Sequence, residues 1–478
     1  MSNNFRMAAG DWLALRRLFR SSFRPGLPPE VGALGVFGSV TTMTGTDFLL
    51  ARLFMPEEGD IAHASNGSLV FSSSYVRRAH LYMREKGLRG IASFHTHPLS
   101  TTHVSFSWYD DEQDPELAEN LAEIAPKTSL LSVVVGRESQ SGRFWSAPRD
   151  PLQLDELILV GDHLDYLPLT GQPAPAPPPP AALFDRGLSL TGSGALARLS
   201  SSQIAVVGSS GTGSLMAELL IRAGCKNLLL IDDDFVQDVN LNRILYATID
   251  DAVQGTPKVE VLKRGLDSLG FEANIQIICG SVLEDENLLA LRGAAIVIGC
   301  VDRAYPRRLL SQLSFQYLLP YIDVGTEIGG DDAGIVSLDS RLNLVAPHRP
   351  CLLCTGLVTP RALNLESMSY EEQQRNIAQG YSEDLLIKQP AVMDLNMRAS
   401  SAGMLILRHM LQPFLNEPLP ITLSENMVTF RMIASSTARA VNPYCRICQK
   451  REFMGFGDQG PRIGLDGASA GRFRASRS

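Results

Sequence analysis

Three glycines, Gly208, Gly211 and Gly213, lie in one short turn, GSSGTGS, directly behind the apolar run IAVVG. The next apolar run, NLLLID, closes on Asp232. A buried strand, a glycine turn, a helix and a second strand ending in an acid form a unit whose helix-start N–H groups face phosphates. The acid then faces ribose hydroxyls. Asp234 and the run Asn240-Leu241-Asn242-Arg243 follow, then Lys258, then Asp302 at the end of AAIVIGCVD. A nicotinamide dinucleotide needs no such set. An Asn, an Arg and a Lys near phosphates, with an acid able to hold magnesium, suit ATP better.

A second group begins at His95-Thr96-His97-Pro98, behind the strand-like run GIASF. Two histidines one residue apart at a strand end project to one side, as metal ligands do. With Asp110 they make the three protein ligands of a catalytic zinc that keeps one position for water. Ser107, one helical turn before Asp110, faces the same place and can stabilise an oxyanion. Glu30 at a strand start is the candidate general base. A third group is Cys351-Leu-Leu-Cys354 with Cys445-Arg-Ile-Cys448, two CxxC knuckles that make a closed structural zinc site when they meet in space.

The glycine turn, LIDDDFVQDVNLNR, Lys258 and GCVD resemble the ThiF/MoeB branch of the ubiquitin-activating-enzyme superfamily, over roughly residues 184–450. The resemblance implies that a carrier protein's C-terminal carboxylate attacks the α-phosphate of ATP, leaving an acyl-adenylate and pyrophosphate. It implies phosphate contacts from the three glycines, Asn240, Arg243 and Lys258, ribose contact from Asp232 with Asp234 assisting, and magnesium on Asp302. Ser210 stands where the family usually has a further glycine, and Ile244 replaces its glutamine. Arg186 resembles the arginine that reaches into a partner's nucleotide site, which implies a homodimer.

Glu30, HxHP and SxxD resemble the JAMM/MPN metalloproteases. That implies Glu30 as base, zinc on His95, His97 and Asp110, and assistance from Ser107. The loop from Pro98 to Ser107 is longer than the family's usual one, which leaves Asp111 as a fallback ligand.

The elements that must carry these groups are legible in outline, and the expected class is α/β. Residues 1–168 read as a mixed sheet with helices: a helix over 11–20, strands in PEVGALGVFGSV, DFLLARLFMP and GSLVFSS, a helix over 75–86, then GIASF. A Pro/Ala-rich linker over 169–183 separates this from a Rossmann-like domain over 184–455. Its helices include 215–223 and 391–412, the latter with small residues on one face. Residues 456–478, rich in glycine and arginine, read as a disordered tail.

With 478 residues, 45% hydrophobic and 20% charged, the chain has room for two to four ordinary globular domains. A net charge of −8 argues against nucleic acid as partner. No apolar run reaches membrane-span length, and the N-terminus lacks a signal-peptide core. Seven cysteines, four of them in CxxC pairs, point to a reducing, cytoplasmic setting.

No cysteine lies between Thr355 and Pro390, where many activating enzymes carry one, and Cys225, Cys279 and Cys300 adjoin apolar runs. Adenylation without a stable enzyme thioester is therefore expected. The expected function is a two-headed enzyme that trims or deconjugates a ubiquitin-like carrier with a Gly-ending tail and adenylates that tail, with a conjugating enzyme as a further partner. Activation of a ThiS/MoaD-like sulfur carrier, or a non-catalytic scaffold for a ubiquitin-like protein, are the alternatives.

Overall fold

The computed structural model describes residues 2–464 apart from positions 27, 43, 147–149, 173–175, 178–180, 332–333, 369–370, 373–374, 376–390 and 436–440. The chain divides into two compact units, Met1–Ala176 with Phe315–Leu318 and Arg451–Pro461, and the remainder.

The first unit runs β1 (Ser2–Ala8), α1 (Ala9–Phe19), β2 (Gly32–Thr41), β3 (Gly45–Phe54), β4 (Ile61–Ala64), β5 (Leu69–Phe71), α2 (Ser73–Lys86), β6 (Gly90–Thr96), α3 (Trp108–Ile124), β7 (Ser129–Val135), β8 (Gln140–Trp145), β9 (Leu152–Gln153), β10 (Glu156–Val160) and β11 (Leu164–Pro168). Its mixed sheet has the order β11-β10-β1-β3-β2-β6-β7-β8-β9, with β4 and β5 as a separate hairpin. Alternate residues of the sheet feed two cores. Phe37, Phe94, Leu131 and Val133 pack under Trp12, Leu15 and Phe19 of α1. Leu34, Val36, Ile91 and Leu130 pack under Tyr75, Ala79, Ala118 and Leu121 of α2 and α3. Because both faces are covered, β6 and β7 are buried throughout and read as continuous apolar runs.

Three expectations change here. Glu30 precedes β2 and lies outside any strand, with its N–H on the Ser65 carbonyl at 2.7 Å. The linker cannot start at 169. Leu169 is fully buried, and its carbonyl accepts from Gly142 N–H at 2.9 Å, so the sheet still holds the chain there. Nor are 456–464 a disordered tail. Phe456 packs into the α2–α3 core, and Gly457 forms a parallel bridge with Ser39 of β2. The last part of the tail, 465–478, lies outside the described residues.

The second unit holds α4 (Asp185–Thr191), α5 (Ser193–Ser201), β12 (Gln203–Val207), α6 (Gly211–Arg222), β13 (Asn227–Asp232), α7 (Ile249–Gln254), α8 (Lys258–Asp267), β14 (Asn274–Cys279), α9 (Asp285–Leu289), β15 (Ile296–Gly299), α10 (Ala304–Gln316), β16 (Tyr321–Asp331), β17 (Gly334–Val345), α11 (Pro360–Ser367), α12 (Met393–Leu411), β18 (Thr422–Asn426) and β19 (Arg431–Ser435). The sheet order is β14-β13-β12-β15-β16-β17-β18-β19. Its first five strands are parallel and the last three pair antiparallel. The small face of α12 carries buried Ala399, Ser400 and Gly403, and Ser400 Oγ donates to the Thr212 carbonyl at 2.9 Å.

Candidate functional site

In the second unit the strand order reverses between β12 and β15, the crevice where open α/β sheets bind ligands. Gly208 follows β12 with φ +92°, a left-handed turn in which a Cβ would strike the Cys300 carbonyl. A Cβ on Gly213 would strike the Gly208 carbonyl, so α6 starts hard against the turn. Gly211 is the first residue of that helix.

Asp232 ends β13 and accepts from Ser209 N–H at 2.5 Å and Asp234 N–H at 2.8 Å. Burial raises its carboxyl to about 6, with Lys258 opposing and Asp234 reinforcing the shift. Lys258, the first residue of α8 and buried, pairs with Asp234 at 2.9 Å. Arg243 donates to the Val239 carbonyl and to Asn242, and its aliphatic stem lies near Gly211. Asn240 Oδ1 accepts Gln237 N–H at 3.2 Å and so shapes the turn. Asp302 is exposed in the connection from β15 to α10. Arg186 is exposed on α4.

The first unit brings its predicted set together. His95 Nε2 and His97 Nε2 stand 3.2 Å apart, and Asp110 reaches them at 3.1 and 3.2 Å. Ligand bonds of 2.0–2.1 Å around a tetrahedral zinc place donor atoms about 3.3 Å apart, so the three donors fit that ion. Glu30 offers a carboxylate oxygen within 4.8 Å of a ring nitrogen of each histidine. Burial raises its carboxyl to about 7, with His97 pulling it back and Asp110 adding to the rise.

Asp110 belongs to a capping box. Its Oδ2 accepts from Ser107 N–H at 2.6 Å and from Ser107 Oγ at 2.7 Å, and Ser107 Oγ accepts Asp110 N–H. Burial alone would raise the Asp110 carboxyl, but the hydrogen bonds from His95 and His97 outweigh it and hold it well below the usual range. Asp111, the fallback ligand, turns away and pairs with Arg143 at 2.5 Å. The group opens on a cleft of about 220 Å³ whose walls include Phe71, Tyr109 and Leu117.

Cys351, Cys354, Cys445 and Cys448 offer sulfurs within 4.8 Å of one another. The Cys351–Cys445 and Cys354–Cys448 pairs stand at 3.6 and 3.4 Å, near the roughly 3.8 Å edge implied by zinc–sulfur bonds of 2.3 Å. Burial raises the Cys225 and Cys300 thiols to about 12. Burial and Glu260 also raise Cys279.

Three residues escaped the sequence reading. Glu366 of α11 accepts Ala304 and Tyr305 N–H at 2.7 and 2.8 Å, capping α10 beside Asp302. Asn396 of α12 is buried over Gly211 and bonded to Thr326 at 3.2 Å. Arg143 of β8 grips the first turns of α3. Each is a single residue far in sequence from its partners, with no local pattern to mark it.

A parallel sheet with a glycine turn and an acid at adjacent strand ends defines a Rossmann-like nucleotide-binding unit. The chain belongs to the ThiF family, which it matches over residues 184–442. It is 24% identical over 157 residues to the sulfur carrier protein ThiS adenylyltransferase of Bacillus subtilis, covering 33% of this chain and 44% of that protein. It is 36% identical over 92 residues to the tRNA threonylcarbamoyladenosine dehydratase of Bacillus subtilis, covering 19% and 35%. It is 26% identical over 157 residues to the SAMP-activating enzyme E1 of Haloferax volcanii, covering 33% and 54%. The chain thus spans about half or less of the length of these relatives.

Proposed function

We propose that the second unit adenylates the C-terminal carboxylate of a small ubiquitin-like or sulfur-carrier protein. The printed activities of the Bacillus ThiS adenylyltransferase and the Haloferax SAMP-activating enzyme support this choice of substrate. A carboxylate oxygen attacks the α-phosphorus of ATP, the bond to the β-phosphate breaks, and pyrophosphate leaves. No protein nucleophile is required. Stabilisation of the phosphoryl charge falls to Lys258, Arg243 and the glycine turn, and Asp302 would hold magnesium. Asp232 meets the ribose with Asp234 beside it, and Arg186 serves a partner's site in a homodimer. The raised Cys225, Cys279 and Cys300 thiols support release of the adenylate without an enzyme thioester.

The first unit is a JAMM/MPN-like zinc hydrolase that trims a carrier precursor or releases a carrier from its conjugates. One observation carries this reading: His95, His97 and Asp110 at tetrahedral-edge distances with Glu30 beside them. Zinc held there would supply an acidified water and a polarised carbonyl. Glu30, beside both histidines, would take and return a proton, and Ser107 would stand by the developing oxyanion. The four cysteines would hold a second, structural zinc.

Carrier-dependent ATP–pyrophosphate exchange tests the pair of activities. Exchange with a carrier trimmed to its terminal glycine, and with an untrimmed one only when zinc is present, is the expected result. No exchange with any Gly-ending carrier would sink the adenylation reading.

A further inference from the structure

Resting on the metal reading of the first unit, we infer that Arg143 is the positioning residue that sets Asp110 in the His95–His97 site. Asp110 stands on the first turn of α3, behind the long connection that follows His97. That connection is too long to fix the rotation of the helix by itself. The capping box does not fix it either, since Ser107 and Asp110 bond each other and would turn together.

Ala118 and Leu121 seat the middle of the helix in the core, and Arg143 adds a polar constraint at its first turn, from the neighbouring sheet. Its Nη2 donates to the Asp110 carbonyl at 2.9 Å and to Asp114 Oδ2 at 2.9 Å. Its Nε reaches Asp114 Oδ2 at 3.1 Å, and its Nη1 meets Asp111 at 2.5 Å. The guanidinium lies 3.8 Å from the centre of the Phe106 ring and 5.0 Å from that of Trp145, so aromatic faces fix its plane.

Both Arg143 and Asp114 are buried at 7 and 8% exposure, which makes the grip a rigid one. Four carboxylates, at 110, 111, 112 and 114, crowd the start of one helix, and this one fork engages two of them. It takes Asp111 and Asp114 to the back and leaves Asp110 facing the histidines. A planar fork can make these bonds together, whereas an ammonium cannot.

Zinc titration of the full chain against a chromophoric chelator tests the assignment. The wild type is expected to hold two ions, and His95→Ala/His97→Ala is expected to lose the one in the first unit. Arg143→Met combined with Asp114→Asn removes the grip without leaving a buried carboxylate unpaired. It is expected to weaken that ion about 10–100-fold and leave the cysteine-bound one unchanged. Arg143→Lys keeps the charge and is expected to restore only part of the affinity. Undiminished affinity in either Arg143 variant, with cooperative melting retained, would overturn the positioning role. A wild type holding one ion, indifferent to the histidine substitutions, would instead overturn the metal reading and this inference with it.

Discussion

Lys258 is buried yet ion-paired to an Asp234 that is half open to water, so its removal should cost catalysis more than folding. Lys258→Ala is expected to lower pyrophosphate exchange by about 10²–10³-fold with little change in melting temperature. Asp232 should behave the opposite way. Its folded carboxyl is raised from 3.8 to about 6, so the fold favours the protonated form. The stability it contributes is complete below pH ~4 and lost as pH rises through about 6. Asp232→Asn is therefore expected to abolish ribose recognition and to raise stability above pH 6 by about 1–3 kcal/mol, with the gain vanishing in acid. Denaturant melts at about pH 3.5 and pH 8 read the gain and its disappearance. In the first unit, Glu30→Gln should lower hydrolysis by about 10²–10⁴-fold with the bound zinc retained. Loss of the zinc as well would make Glu30 a ligand instead of a base.

Among the elements, α10 shows how a helix start can serve a site without touching substrate. The carboxylate of Glu366 holds two of its first N–H groups just after Asp302. Glu366→Ala is expected to cost about 1 kcal/mol, seen as faster amide exchange at Ala304 and Tyr305. The β12–α6–β13 unit was legible because its signals are local: an apolar run, a glycine turn, a helical period, a terminal acid. That Glu30, His95, His97 and Asp110 come together was legible too, since their residue types and spacing are those of a shared site.

What escaped notice depends on distant partners. Strand β1 reads SNNFRMA, polar at its start, and is a strand because β3 and β10 pair with it on both sides. Arg143 looks like any arginine in a strand until α3 is placed beside it. Phe456 lies in the short run Phe453-Met454-Gly455-Phe456-Gly457, and no periodicity announces that a core waits for it.

For the whole molecule, the proposed homodimer is tested through Arg186, which is exposed, as are Leu183 and Leu190. If Arg186 works in trans, then Arg186→Ala and Asp302→Asn, each inactive alone, should recover about a quarter of wild-type exchange when mixed and allowed to re-pair. Failure to recover any activity, in a mixture shown to exchange subunits, would place Arg186 outside the partner's site. No helix among the described residues is long and apolar enough to cross a membrane. In the first unit, Phe456→Ala is expected to cost about 3–5 kcal/mol, read as a lowered melting transition.

The return of residues 451–461 to the first unit also sets a timetable for synthesis. Domains made early on the ribosome usually finish folding early. Here the core residues from Leu34 to Trp145 are translated roughly three hundred residues ahead of Phe456. The core of the first unit therefore lacks Phe456 until after the knuckle residues Cys445 and Cys448 have been made. Any metal supplied to His95 and His97 before then meets a unit whose core is still incomplete.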